Sequence, residues 1–212
     1  LGFAAVPQRG REGVQGVAWR LFADNIQSSA VGYVRTKDGA FAEDIKLDVA
    51  TPSLTRLAGT PLGDAARYQG VFNGDGKTFE LKGAINASNV QLSDYRMARL
   101  TGPLNLSANK GEYSLSGELT AANASRQGVL GGLLGAAPRV KLSASRLADG
   151  AILVRNIDLR GSALTLTGSG RRNLLGGLSF NGDVNLSNVA ALSPQASGSF
   201  GGAITGAGGL TL

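Results

Sequence analysis

An internal repeat constrains the fold of this chain of 212 residues more than any other feature of its sequence. Three stretches align without gaps: residues 79–90 (FELKGAINASNV), 113–124 (YSLSGELTAANA) and 178–189 (LSFNGDVNLSNV). Each alternates apolar with polar residues, has glycine at its fifth position and has asparagine at its eleventh. The copies start 34 and 65 residues apart, and a looser copy at residues 45–51 starts 34 residues before the first. A period near 33 residues is typical of a chain that stacks one supersecondary unit.

A second repeated element keeps the same period. Residues 57–77 resemble residues 192–209, and their matching glycines, Gly70 and Gly202, lie 132 residues apart, which is four periods. Shorter alternating runs fill the space between the copies, at residues 104–107, 140–143, 152–159 and 164–167. The sequence therefore predicts one repetitive segment over residues 1–212. Because residue 1 is Leu and the single methionine is Met97, we expect it to be part of a longer protein.

The alternation predicts strands with one apolar face. Side chains of a strand point alternately to opposite sides, so Leu81 is expected on one face and Lys82 on the other. Gly83, Gly117 and Gly182 recur within the apolar face, where a missing side chain permits a sharp bend. The residues expected to line this face are Leu47, Phe79, Leu81, Ile85, Leu115, Leu119, Leu142, Leu166, Phe180 and Val184.

Few segments could form helices that cover such a face. Residues 53–66 have room for a short helical turn before Gly59, Pro61 and Gly63 interrupt it, and residues 125–137 are broken by glycines. We therefore predict an all-β chain whose long, mostly antiparallel sheet covers itself by curling into an open groove.

The stretch NGDGKT at residues 73–78 has the second half of a phosphate-binding loop, but the first glycine of that motif is misplaced. A phosphate-binding loop is followed by a helix, whereas residues 78–82 (TFELK) alternate as a strand does. The stretch is therefore predicted to be a turn between two strands.

Composition excludes several chemistries. The sequence contains no cysteine and no histidine, which excludes thiol catalysis, disulfides and histidine acid–base chemistry and leaves no ordinary zinc site. The carboxylate pairs Glu43 with Asp44 and Asp149 with Asp158 are interpreted as solvated charges. Ser169 lacks both a GxSxG context and a histidine that could activate it. We therefore expect that the chain is not an enzyme and that it binds no metal and no cofactor.

Four Asn-x-Ser sequences begin at Asn86, Asn105, Asn123 and Asn185. These asparagines are interpreted as turn residues, and glycosylation is not expected.

The net charge of +6 comes from basic residues spread singly along the chain, except for the pair Arg171 and Arg172. Because no aromatic residues interleave with them, nucleic acid is not expected as a partner. A weak attraction to anionic lipid headgroups is compatible with this charge. The longest apolar run, residues 128–137, is too short for a membrane-spanning helix, which needs about 20 residues.

The phrases LSNVAALSP at residues 186–194 and FGGAITGAGGLTL at residues 200–212, with the recurring apolar-x-apolar-x-Gly units, resemble the periplasmic repeats of the TamB-type translocation-and-assembly-module family and the wider AsmA-like group. The similarity covers nearly the whole chain and is one of pattern. It implies a β-taco, a half-pipe with an aliphatic interior through which phospholipid acyl chains slide between the inner and outer membranes of a Gram-negative bacterium.

The resemblance also implies support of outer-membrane protein assembly through an outer-membrane barrel partner, and a full-length protein anchored in the inner membrane. The N-terminal anchor and the C-terminal domain of that family are not expected within this sequence. The alternative is a parallel β-helix that serves as an adhesin or a carbohydrate-binding solenoid, but its coils of about 20 to 25 residues fit the period poorly.

Overall fold

The computed structural model of the protein describes residues 2–37, 44–74, 77–125, 127–193 and 195–209, and for residues 2–11 it describes the backbone alone. The described chain forms one sheet of 13 strands whose order in space is their order in sequence. Every pairing is antiparallel. The sheet is not closed, since β1 and β13 form its two edges. The predicted fold class, an all-β chain with an open curled sheet, is confirmed.

The strands are β1 (Gly2–Arg11), β2 (Val14–Ala23), β3 (Ile26–Arg35), β4 (Ile45–Thr51), β5 (Ala66–Gly74), β6 (Phe79–Leu92), β7 (Tyr95–Asn109), β8 (Glu112–Ala124), β9 (Arg139–Arg146), β10 (Ile152–Arg160), β11 (Leu164–Arg172), β12 (Gly177–Leu186) and β13 (Phe200–Gly209).

The sequence repeat corresponds to a pair of strands. Its copies are β4, β6, β8 and β12, which are two or four positions apart in the sheet and therefore all run in the same direction. The second repeated element contains β5 and β13, which are eight strands apart, as four periods require. The alternative prediction of a parallel β-helix is therefore wrong as a fold, because neighbouring strands here run in opposite directions.

The connection between β5 and β6 contains the GDGKT stretch. Residues 75 and 76 lie outside the described residues, but Gly74 pairs with Phe79 across the turn and the chain continues as a strand. The predicted strand after the turn is confirmed.

Three longer connections lie at one end of the strands, after β4, β8 and β12. They carry helix α1 (Leu54–Ala58), helix α2 (Gly128–Leu134) and a short 3₁₀ helix (Val189–Ala191). Helix α1 is the short turn that the sequence predicts, and Gly59 ends it in the left-handed conformation at φ 72°. The expectation that glycines prevent a helix at residues 125–137 is wrong, because α2 forms there.

The repeated asparagine has a structural role at this end of the sheet. Asn89 and Asn123 adopt the left-handed conformation, with φ of 49° and 52°, which asparagine tolerates better than most residues. Each lies near the end of a strand, and the alanine two residues before it and the apolar residue directly after it are buried: Ala87 and Val90 for Asn89, and Ala121 and Ala124 for Asn123. The third copy differs: β12 ends at Leu186, and the side chain of Asn188 caps the 3₁₀ helix.

Candidate functional site: an apolar groove

The strand register divides the sheet into two chemically different faces. Directly paired residues of antiparallel strands point to the same side, so the pairs Phe72 with Leu81 and Leu81 with Leu106 share one face. Leu115 pairs with Leu106 and continues this face into β8. We call it the apolar face. By the same register the apolar face includes all ten residues that the sequence singles out: Leu47, Phe79, Leu81, Ile85, Leu115, Leu119, Leu142, Leu166, Phe180 and Val184.

These ten residues are not buried as a core would be. Nine of them are half-buried, and Phe180 is 51% exposed. Half-burial of aliphatic side chains on a sheet comes from contact with their neighbours on the same face, while a second layer would bury them fully. The apolar face is therefore an accessible surface along most of its length.

Sequence reasoning left out further residues of this face. Leu104 and Leu106 of β7 lie between Leu81 and Leu115 in the sheet, and Trp19 of β2 extends the face toward the N-terminal edge. Their alternation with polar neighbours is the same signal that identified the ten residues. Tyr68 of β5, opposite Ile85, was also missed.

Glycines on the apolar face form a line that we call the crease: Gly70, Gly83, Gly117, Gly168 and Gly182. Gly70 pairs with Gly83, and Gly168 pairs with Gly182. A Cβ atom added at Gly83 would lie 2.2 Å from the carbonyl oxygen of Gln69, and one at Gly182 would lie 2.2 Å from that of Thr167. Real Cβ atoms do not approach oxygen so closely, so the neighbouring strand leaves no room for a side chain at the crease. Close approach of the neighbouring strand therefore explains why Gly83 and Gly182 are glycines, and the sharp bend expected at them stays a prediction.

Tyr68 spans the crease. Its ring lies against Gly83, with a distance of 2.7 Å from the ring carbon Cζ to an added Cβ. Its hydroxyl donates a hydrogen bond to the carbonyl oxygen of Leu104, 3.0 Å away and two strands along the sheet. Burial raises the pKa of this hydroxyl. The ring therefore covers a position where glycine leaves the backbone bare, and it ties β5 to β7.

At the strand ends that carry α1 and α2, the apolar face is covered by a hydrophobic cluster, which we call the end core. It contains Ala87, Val90, Tyr95, Met97, Ala121 and Ala124. Leu130 and Leu134 of helix α2 pack on it, as does Leu54 of α1. Tyr95 is 1% exposed, and its hydroxyl donates a hydrogen bond of 2.6 Å to the carbonyl oxygen of Gly135 at the end of α2. Burial raises the pKa of Tyr95. The two helices thus cover this end of the apolar face, and the opposite end has no comparable cluster among the described residues.

The second face of the sheet carries polar and charged residues from β4 onward. It carries an ion pair between Asp48 and Arg67, which forms through two guanidinium nitrogens. The hydrogen bond from Arg67 holds the pKa of Asp48 below its usual value, and a further bond from Gln69 acts in the same direction. Both side chains reach solvent, so the pair adds little stability.

The carboxylates and serine considered as catalytic candidates lie apart from one another. Asp158 accepts two hydrogen bonds from Arg160, which lower its pKa, while Asp149 lies in the turn at the other end of β10. Glu43 lies outside the described residues. The Ser169 hydroxyl donates a hydrogen bond of 2.5 Å to the side-chain oxygen of Asn181 on the polar face. The expectation that the chain is not an enzyme stays a prediction.

Within the described part of the chain, neither helix has the length and apolar character that a membrane span requires. No family model matches the sequence. No curated protein and no solved structure matches it.

Proposed function

We propose that this chain is a periplasmic groove segment that conducts phospholipids between the inner and outer membranes by holding their acyl chains against the apolar face. One observation carries the proposal: an apolar face that continues across the sheet from β2 to β13 and is accessible along most of its length. The polar face behind it keeps the sheet soluble. The pattern resemblance to TamB-type repeats supports the same function.

Contacts between the apolar face and an acyl chain are not directional. Aliphatic and aromatic side chains exclude water from an acyl chain at roughly 25 cal/mol per Å² of buried apolar area. Neighbouring positions such as Leu81, Leu106 and Leu115 offer nearly equivalent contacts, so a chain can move from one to the next without leaving a deep minimum. A catalytic pocket instead needs a few convergent polar groups.

Adjacent residues of β6 provide a matched test of the face. Leu81 lies on the apolar face, while Lys82 lies on the polar face with 64% of its side chain exposed. A photo-crosslinking amino acid at position 81, in the full-length protein in cells, is expected to capture phospholipid, and the same amino acid at position 82 is not. Equal capture of lipid at both positions would contradict the proposal.

A single charge tests conduction separately from binding. Leu115→Arg places a guanidinium in the path of the acyl chains, where a charge in hydrocarbon costs at least about 2.5 to 3.5 kcal/mol. Because Leu115 is half-buried, the long side chain can reach solvent and the protein should still accumulate. Lipid transfer between membranes is expected to fall while protein level is unchanged. The control Ser116→Arg changes the polar face of the same strand. Normal transfer with Leu115→Arg would refute a path along this face.

A further inference from the structure

Two leucines at one turn are more exposed than any other large apolar residues that the structure describes. Leu174 and Leu175 lie between β11 and β12 and are 70% and 91% exposed. The turn is well ordered by hydrogen bonds: Asn173 N–H donates to the carbonyl oxygen of Gly177 at 2.9 Å, and Gly177 N–H donates to the Asn173 side chain at 2.8 Å. The turn thus holds the leucines outward, away from the sheet.

The exposed turn adjoins apolar residues at the same end of the strands, opposite the end core. Ile152 and Leu178 both pair with Arg172, the last residue of β11, and they are 40% and 41% exposed. Phe180, the next residue of β12 on the apolar face, is 51% exposed. The Cδ2 atom of Leu174 lies near the turn between β9 and β10, 2.7 Å from the position that a Cβ atom added at Gly150 would take. The leucines are therefore the tip of a larger apolar surface.

Basic residues surround this tip. Arg171 and Arg172 directly precede the turn, and Arg146 pairs with Ile152 from the other side. The nearest carboxylate, that of Asp149, is 3.8 Å from Arg171, and both side chains are more than half exposed. This loose contact leaves the guanidinium of Arg171 accessible to another anion. The turn between β7 and β8 lies at the same end of the sheet. It adds no net charge there, because the positive charge of Lys110 is balanced by the negative charge of Glu112.

We propose that the turn at residues 173–176 docks on the surface of an anionic phospholipid bilayer. Leu174 and Leu175 enter the boundary between headgroups and acyl chains, and Arg171 and Arg172 bind lipid phosphates. An apolar tip with flanking arginines has the amphipathic character of interfacial membrane contacts. A protein partner would need a complementary surface of about 500 Å² or more on each side, whereas the turn between β11 and β12 consists of residues 173–176 alone. The docking does not depend on conduction through the groove.

Flotation of the purified chain with lipid vesicles tests the docking. Vesicles of phosphatidylcholine with phosphatidylglycerol are compared with vesicles of phosphatidylcholine alone, at low ionic strength. We expect the anionic vesicles to bind the chain and the neutral vesicles to bind it weakly. The double variant Leu174→Ser with Leu175→Ser should lower the partition coefficient at least about tenfold. Replacing Arg171 and Arg172 by Gln should lower it about fivefold per arginine.

The matched control is Leu57→Ser with Leu192→Ser. These leucines are 54% and 49% exposed but lie at the opposite end of the strands. The control variant should bind anionic vesicles as the unchanged chain does. Equal loss of binding in the control, or binding by the Leu174 and Leu175 variant as strong as that of the unchanged chain, would overturn the proposal. So would a chain that self-associates through this turn in light scattering and binds no vesicles, because the occupant would then be a second copy.

Discussion

Gly83→Ala tests the origin of the curvature of the sheet. The added Cβ would lie 2.2 Å from the carbonyl oxygen of Gln69, and ordinary contact begins at 3.4 Å. The two strands must therefore separate by more than 1 Å or the bend must flatten. Overpacking of this kind costs about 1 to 3 kcal/mol.

The substitution also disturbs the tyrosine that covers this glycine. The new methyl group would lie 2.7 Å from the Cζ atom of Tyr68. Displacing the ring breaks its hydrogen bond to Leu104, which contributes about 1 kcal/mol. The lower backbone entropy of alanine in the unfolded chain offsets about 0.4 to 1 kcal/mol of this loss. The net fall in the free energy of unfolding should be about 1 to 3 kcal/mol.

Urea denaturation followed by circular dichroism measures this difference. With a slope of about 2 kcal/mol per molar urea, the midpoint should fall by on the order of 1 M. The control is Gly202→Ala, also on the apolar face, where the nearest atom to an added Cβ is the Cζ of Phe200 at 3.9 Å. Its midpoint should be unchanged or slightly higher. If both variants shift the midpoint equally, close strand approach at the crease does not explain the curvature.

Three other predictions concern single side chains. Asn123→Val should lower the free energy of unfolding by about 1 to 2 kcal/mol because of the left-handed backbone, whereas Asn123→Gly should not; equal midpoints in urea would contradict this. Tyr95→Phe leaves the buried carbonyl of Gly135 without its donor, which should cost about 1 to 3 kcal/mol and speed amide exchange in α2. The raised pKa of Tyr95 means that the folded chain keeps this proton longer than the unfolded chain does, so stability should fall as pH rises above about 10, and less steeply in the Phe variant. Because the pKa of Asp48 is lowered, its ion pair contributes at most about 1 kcal/mol to the free energy of unfolding above about pH 4, and this contribution is lost as the pH falls further. Asp48→Asn should remove this part of the pH dependence from urea denaturation curves.

The apolar face could be predicted because its signal is local. Each strand shows the alternation within a few residues, so Leu81 and Lys82 are assigned to opposite faces without knowledge of the partner strands. The glycine positions recur at fixed offsets, which makes the crease predictable from the same alignment. The repeat period then gives the direction of each strand, since two strands make up one unit.

The end core could not be predicted in the same way. Helix α2 has three glycines among its seven residues, Gly128, Gly131 and Gly132, and glycine disfavours a helix by about 1 kcal/mol relative to alanine. The helix forms because Leu130 and Leu134 pack on the end core, and that contact joins parts of the chain far apart in sequence. The reach of Tyr68 across β6 also depends on three strands at once.

The neighbour-to-neighbour order of the strands determines how such a sheet can assemble and lengthen. Each strand needs only the preceding strand as a template, so folding can begin at any hairpin and spread by closing short loops, which is fast. A chain that emerges end first from a membrane channel can therefore fold progressively before its remainder has appeared. Duplication of a two-strand unit leaves the direction and facing of every later strand unchanged, whereas duplication of one strand would reverse them. Evolution can thus adjust the span of the groove in steps of two strands without redesigning what is already built.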